Sequence, residues 1–274
     1  MAMVINTNLA SINAVRTLDH TSLEQKTAME RLTSGLRINK AADDAAGLAV
    51  VTGMTTQIKG TDMAIRNAND GISVLQTMDG ATEEIVDMLQ RMRELGVQAL
   101  NGSYNNNNRA QMNEEFSQLR NEIDRIANTT KFNETELMDG TNASVVIHAG
   151  WETGVNNKIT ISTFDFNSAA LSVAGDTIST VTTASAAIGA IDSDLSNINT
   201  IRAKWGALQN RLESTVSNLN NINENMMASR SRIQDTDFAK ESANLARTQV
   251  LQQAGMSMLS QANQQSQQVM QLLQ

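Results

Sequence analysis

The side chains with the best claim to chemistry in this sequence are few and scattered. Its two histidines, His20 and His148, stand far apart, no His-Glu-x-x-His pair offers two imidazoles on one helical face, and no glycine-rich phosphate loop occurs. Cysteine is absent, which removes thiolate metal sites, disulfides and a thiol nucleophile together. The adjacent carboxylates Asp43 and Asp44 read as a helix cap before they read as a metal site. Around two hinge positions, Arg31, Arg37, Arg230 and Arg232 face Asp43, Asp44, Asp235 and Asp237. Two readings stand there: an ionic network that locks the angle between helical zones, or aspartate caps beside solvated arginines. The residues therefore predict no catalytic group, no cofactor and no metal, and the chain reads as a structural subunit.

Composition sets what kind of elements hold these residues. The chain has 274 residues, 41% hydrophobic but only 3% aromatic, and no proline. Leu, Ile, Val, Met and Ala are the material of helix seams, and without proline nothing forces a helix interior to break. The 15 methionines follow heptad spacing and read as core. A net charge of -8 argues against nucleic acid, whose phosphates require a basic face. Residues 1–7 lack a basic stretch followed by an apolar core, and no run of about 18 apolar residues occurs, so neither a cleaved signal peptide nor membrane insertion is expected.

Periodicity gives the order of elements. Ile5, Leu9, Ile12, Val15 and Leu18 recur at helical steps, and Gly35 offers a left-handed stop. A second helix carries Ile65, Ala68, Ile72 and Leu75, slips register near Met78, resumes with Ile85, Leu89 and Met92, and ends at Gly102 and the asparagine run 105–108. A third places Met112, Phe116, Leu119, Ile123 and Ile126 on one face. From about 133 to 184 the composition turns to Ser, Thr, Asn, Gly and β-branched residues, and 145–147 with 159–161 read as a β-hairpin. A long seam follows from Ile188 to Met226. After a hinge at 229–237 the last helix runs through Leu251, Gly255, Met258, Ala262, Val269 and Leu272. The predicted fold is mostly α: a long antiparallel coiled-coil rod of paired terminal segments, with a small β-hairpin region in the middle. Ile5, Leu9, Ile12, Leu18, Leu251, Met258, Val269 and Leu272 form its terminal seam. Two paired helices are too thin to hide both stripes, so the remainder is a surface for association with further copies.

Three stretches in these segments closely resemble bacterial flagellin. They are Arg31-Leu-Thr-Ser-Gly-Leu-Arg-Ile-Asn39 with Asp43-Asp-Ala-Ala-Gly-Leu48; Ala68-Asn-Asp-Gly-Ile72 with Leu89-Gln-Arg-Met-Arg-Glu-Leu95; and Ser231-Arg-Ile-Gln-Asp235 with Leu251-Gln-Gln-Ala-Gly255 and Gln261-Ala-Asn-Gln264. The resemblance covers residues 1 to 140 and 185 to 274 and implies a short form without large outer domains. It implies an inner-tube domain (1–43 with 232–274) and an outer-tube domain (44–231, with the insert at about 133–184) of an extracellular flagellar filament that serves swimming. The alternative is a hook-filament junction protein. As implied partners it brings many copies of the same chain, a flagellar export chaperone on the C-terminal helix, the filament cap and hook-associated proteins. Export would run through the flagellum's own type III apparatus. Arg91, Leu95 and Glu115 match positions through which many flagellins contact an animal Toll-like receptor, and they equally suit outer-tube contacts between subunits.

Overall fold

The computed structural model describes residues 7–271, with side chains through residue 264. Five helices dominate: α1 (Leu9–Ser34), α2 (Ala45–Leu100), α3 (Asn106–Thr129), α4 (Val181–Gln234) and α5 (Phe238–Gln271). Two antiparallel strand pairs lie between α3 and α4, β1 (Lys131–Phe132) with β2 (Thr135–Glu136) and β3 (Ser144–His148) with β4 (Lys158–Ser162). The chain divides into two compact units, an end unit of Met1–Thr56 with Asn225–Gln274 and a middle unit of Gln57–Glu224.

Helix limits follow local chemistry. Asn8 caps α1 by accepting from Ser11 N–H at 3.0 Å. Gly35, at φ 72°, ends that helix in the left-handed conformation that costs an L residue a clash with its Cβ. Asn105 caps α3 through Asn108 N–H at 2.9 Å. The buried Arg109 then turns back, donating from Nε to Ala99 O at 2.9 Å and from Nη2 to Asn101 O at 3.2 Å. It thereby satisfies carbonyls at the end of α2 that have no partner within the helix.

In the middle unit, α2, α3 and α4 share one core. Leu75, Met78, Ile85, Leu89, Met92, Leu95 and Ala99 of α2 meet Phe116 and Ile123 of α3 and Ile191, Ile198, Trp205 and Leu212 of α4. Ion pairs fix an antiparallel register for α2 and α4: Asp79 to Arg202 and Arg93 to Asp192, each at 2.7 Å. The predicted slip near Met78 does not occur. Leu75, Met78, Thr82, Ile85 and Leu89 keep steps of three and four, all buried. Thr82 fills the missing seam position because its hydroxyl donates to Met78 O at 2.7 Å and so needs no water.

The predicted hairpin forms with Val145 opposite Ile161 and Ile147 opposite Ile159. Its inner side chains Ile147, Ile159 and Ile161 join the core, and Asn67 Nδ2 of α2 donates to His148 O at 3.0 Å. A smaller hairpin that the periodicity does not announce turns at Asn133 and Glu134, both at positive φ.

Residues 163–180 carry almost no regular structure yet are held in place. Phe166, Leu171, Val173 and Ile178 are buried, and the rings of Phe164 and Phe166 lie 6.3 and 6.0 Å from Trp205. Side chains of the helices receive the strap's backbone. Asp124 accepts from Ser168 N–H at 2.6 Å, Asp194 from Ser172 N–H at 2.9 Å, and Asn113 from Ile178 N–H at 2.9 Å. Burial, with the nearby Asp176 carboxylate adding to it, pushes the Asp194 carboxyl above its ordinary range against the Ser172 bond. Burial likewise raises Asp176, opposed by Arg120.

A group whose folded pKa is raised is most favourable to the fold below its ordinary pKa, and that contribution is lost as pH rises through the raised value. Asp194→Asn keeps an acceptor for Ser172 and cannot ionise. It should therefore melt higher than the parent at pH 7, and the gap should close once the pH falls below the ordinary carboxylate range. Thermal melts at the two pH values check this, and an equal gap at both would contradict it.

Candidate assembly interface

In the end unit, α1 and α5 run antiparallel at close range. Paired positions climb along one helix as they descend along the other. Asn8 Nδ2 donates to Ala262 O at 3.0 Å, Leu18 lies against Gly255, Glu24 faces Arg247 at 3.9 Å and Arg31 faces Glu241 at 3.9 Å. Beside Glu30 and Arg31 on α1 and Asn244 on α5, which are half-buried too, the seam positions are Ser11, Ala14, Leu18, Thr21, Gln25, Ala28 and Leu32 on α1. On α5 they are Glu241, Leu245, Thr248, Gln252, Gly255, Leu259 and Ala262. Both sets keep the three- and four-residue steps of a heptad seam, but their residues are mostly small or polar. A Cβ at Gly255 would sit 2.7 Å from Leu18 Cδ2, so the Leu18 side chain packs directly on the glycine.

This corrects the predicted terminal seam. Only Leu18 of the assigned residues lies between the helices. Leu9 is 61% exposed, Ile12 56%, Leu251 46% and Met258 62%. At about 100° per residue, Leu9 and Ile12 fall opposite the α1 seam, together with the exposed Leu23. Leu251 and Met258 each precede a seam position and flank it. Ile5 and Leu272, and the side chain of Val269, lie outside the described residues. The physical reason is rotation: the seam takes Leu18, Leu32, Leu245 and Leu259 with small and polar residues at the steps between, and the other large aliphatic side chains fall off that stripe. A reading that follows only large apolar residues tracks those outer stripes instead.

The two hinge segments are bound to each other through backbone. Leu36 and Asp235 form an antiparallel bridge. Arg37 N–H donates to Gln234 O at 2.6 Å and Thr236 N–H to Gly35 O at 2.9 Å, while the Arg37 guanidinium donates to Ile233 O. Two of the aspartates act as helix caps: Asp44 accepts from Gly47 N–H at 2.8 Å, and Asp237 from Ala239 and Lys240 N–H at 2.9 and 3.2 Å. Asp43 instead accepts from Lys40 and Asn39 N–H in its own loop, which hold its carboxyl below the usual range, and Asp235 accepts from Ser231 Oγ at 2.6 Å. Asp44 and Asp237 match the capping reading; Arg37 binds a carbonyl, and Arg31 pairs with Glu241, outside the predicted aspartate set.

On the middle unit, Arg91 Nε donates to Glu115 Oε1 and Nη1 to Glu94 Oε2, each at 2.9 Å, and these carboxylates, Glu115 foremost, raise the guanidinium pKa. Leu95 does not share that surface. It is 2% exposed and belongs to the core, a correction to its reading as a contact residue. Near Glu115 lies a shallow depression of about 250 Å³ lined by Gln98, Tyr104, Asn108, Gln111 and Met112. Among the described residues no three His, Cys, Asp or Glu side chains gather as a metal site, and no helix is long and apolar enough to cross a membrane.

Two paired terminal helices with large aliphatic side chains turned outward, joined to a helix-and-hairpin core, define a helical structural protein. A family model for the bacterial flagellin N-terminal helical region matches residues 5–143, and one for the C-terminal helical region matches 188–273. A flagellin of Halalkalibacterium halodurans is 46% identical over 271 residues, covering 99% of this chain and all of the relative. A flagellin of Bacillus subtilis is 40% identical over 307 residues, with the same coverage. Among solved structures, Bacillus cereus flagellin is 31% identical with a TM-score of 0.51, covering 56% of this chain and 88% of that one. A putative flagellar hook-associated protein from Vibrio parahaemolyticus shares the fold at a TM-score of 0.59 over 70% of this chain and all of that one. At 16% identity, that likeness is one of fold and does not favour the junction reading. The chain belongs to the bacterial flagellin family, a family of structural proteins, and is a subunit of the extracellular flagellar filament.

Gly255→Leu forces bulk against the Leu18 side chain and should cost about 1–3 kcal/mol, the usual range for overpacking. The expected readout is a lower urea midpoint for filament dissociation, and an unchanged midpoint would contradict the close seam.

Proposed function

We propose that the end unit lines the inner tube of the filament, that the middle unit forms its outer tube, and that Leu9, Ile12, Leu251 and Met258 meet neighbouring copies. One observation carries this reading. The terminal helices already pair through one narrow seam, so Leu9, Ile12, Leu251 and Met258 remain outside, more than a lone subunit in water would favour. Symmetric repetition of such a face without ring closure gives a filament. Before assembly the same α5 face suits an export chaperone, which would cover Leu251 and Met258 until other copies do. The filament cap and hook-associated proteins would meet it at the two ends of the polymer.

Double replacement Leu251→Ser with Met258→Ser should abolish elongation from filament seeds while leaving the thermal melt of the middle unit unchanged. Elongation at the parent's rate would defeat the assignment.

The salt-linked surface of Arg91 and Glu115 suits contacts between outer-tube subunits first and recognition by an animal Toll-like receptor second. For the second role, contaminant-free Arg91→Ala monomer should activate receptor reporter cells less than the parent. Equal activation would remove Arg91 from that role.

A further inference from the structure

The chain has no cysteine and 15 methionines, so methionine is its only sulfur side chain. Met78, Met92 and Met138 are fully buried in the middle unit, whereas Met29, Met63, Met227, Met256 and Met258 are exposed, Met258 most at 62% and Met256 next at 55%. Met256 directly follows Gly255 and Met258 precedes the half-buried Leu259, so the two stand on opposite flanks of the α5 seam. Leu251, two turns before Met258, shares its flank and is also exposed.

We propose that Met256 and Met258 are an oxidant-sensitive site whose conversion to sulfoxide stops the subunit from polymerising. This rests on the assembly reading above. The reaction needs only a peroxide. A thioether lone pair attacks one peroxide oxygen, the S–O bond forms as the O–O bond breaks, and the departing hydroxide is protonated to water. Sulfur loses two electrons and the peroxide gains them. With no thiol in the chain to react first, exposed thioethers are the accessible sulfur targets, and the buried ones are shielded. The product is polar and chiral in place of a flexible apolar side chain. On an outer face the change costs the free subunit little, because water solvates the sulfoxide. In a contact between copies the same oxygen would be buried without a partner, which is penalised. The device therefore acts on association and leaves the fold intact.

The test treats monomer with graded hydrogen peroxide, locates sulfoxides by peptide mass spectrometry and follows elongation from untreated seeds by light scattering. Oxidation at both positions should slow elongation roughly tenfold or more, the scale set by one unpaired polar group in an interface. The Met256→Leu, Met258→Leu variant, compared with its own untreated rate, should keep that rate after the same treatment, while Met63→Leu with Met227→Leu, at two other exposed methionines, should lose activity like the parent. The proposal is overturned if the first variant is as sensitive as the parent, or if both sulfoxides form with no loss of elongation. It is equally overturned if elongation is lost while both thioethers are intact. Failure of untreated parent to extend seeds is a separate result that removes the assembly reading as well.

Discussion

Which stripe α1 and α5 turn toward each other decides where every other side chain of the end unit goes. Leu18 is seated on Gly255, and Ala14, Thr21 and Ala28 stand at the steps between the larger residues. The seam holds Leu18, Leu32, Leu245 and Leu259, while Leu9, Ile12, Leu23, Leu251 and Met258 lie on outer faces. The same stripe places Thr21, Glu241 and Thr248 in the seam, where Thr21 and Thr248 use their hydroxyls on their own helices. Such a seam fixes register more than it contributes hydrophobic stabilisation.

The middle unit solves the opposite problem. Leu75, Leu89, Met92, Phe116 and Trp205 keep its helices apart at the spacing of large side chains, and the interior so created is wide enough to take in the hairpin's isoleucines and the strap's Phe166 and Val173. Polar anchors then select one arrangement: Asp79 with Arg202, Asp124 with Ser168, and Asn113 with Ile178. One unit thus carries its apolar residues inside and its charged pairs outside, while the other reverses part of that order.

Where the sequence was legible, a local rule was enough. Gly35 ends α1, Asp44 and Asp237 begin helices, and alternation of β-branched residues marks the strands at 145–147 and 159–161. The seam of α1 and α5 was hidden because Ser11, Gln25, Thr248 and Gln252 carry no hydrophobic signal, although their heptad spacing is visible once their burial is known. Thr82 hid a continuous register for the same reason. Leu95 was misplaced by a simple rotation. Four residues after Arg91 it stands about 40° farther round the helix, which moves it from the salt-linked surface into line with Met92 and Ala99. The strap depends on partners distant in sequence, and no local pattern announces a carboxylate on one helix receiving a backbone amide from a loop some forty residues away.

The strap has a practical corollary. Between its buried anchors Val173 and Ile178, the backbone bends outward at Gly175, where a Cβ would meet no neighbouring atom. Arg120 holds Ala174 O just before this bend, so the chain is tied on both sides of an unburdened point, the situation in which insertions are best tolerated. A foreign peptide spliced in at Gly175 would leave helices, hairpin and seam untouched. Because the subunit is polymeric, such a splice would be copied at every lattice position, making the bend a natural port for dense, evenly spaced epitope display.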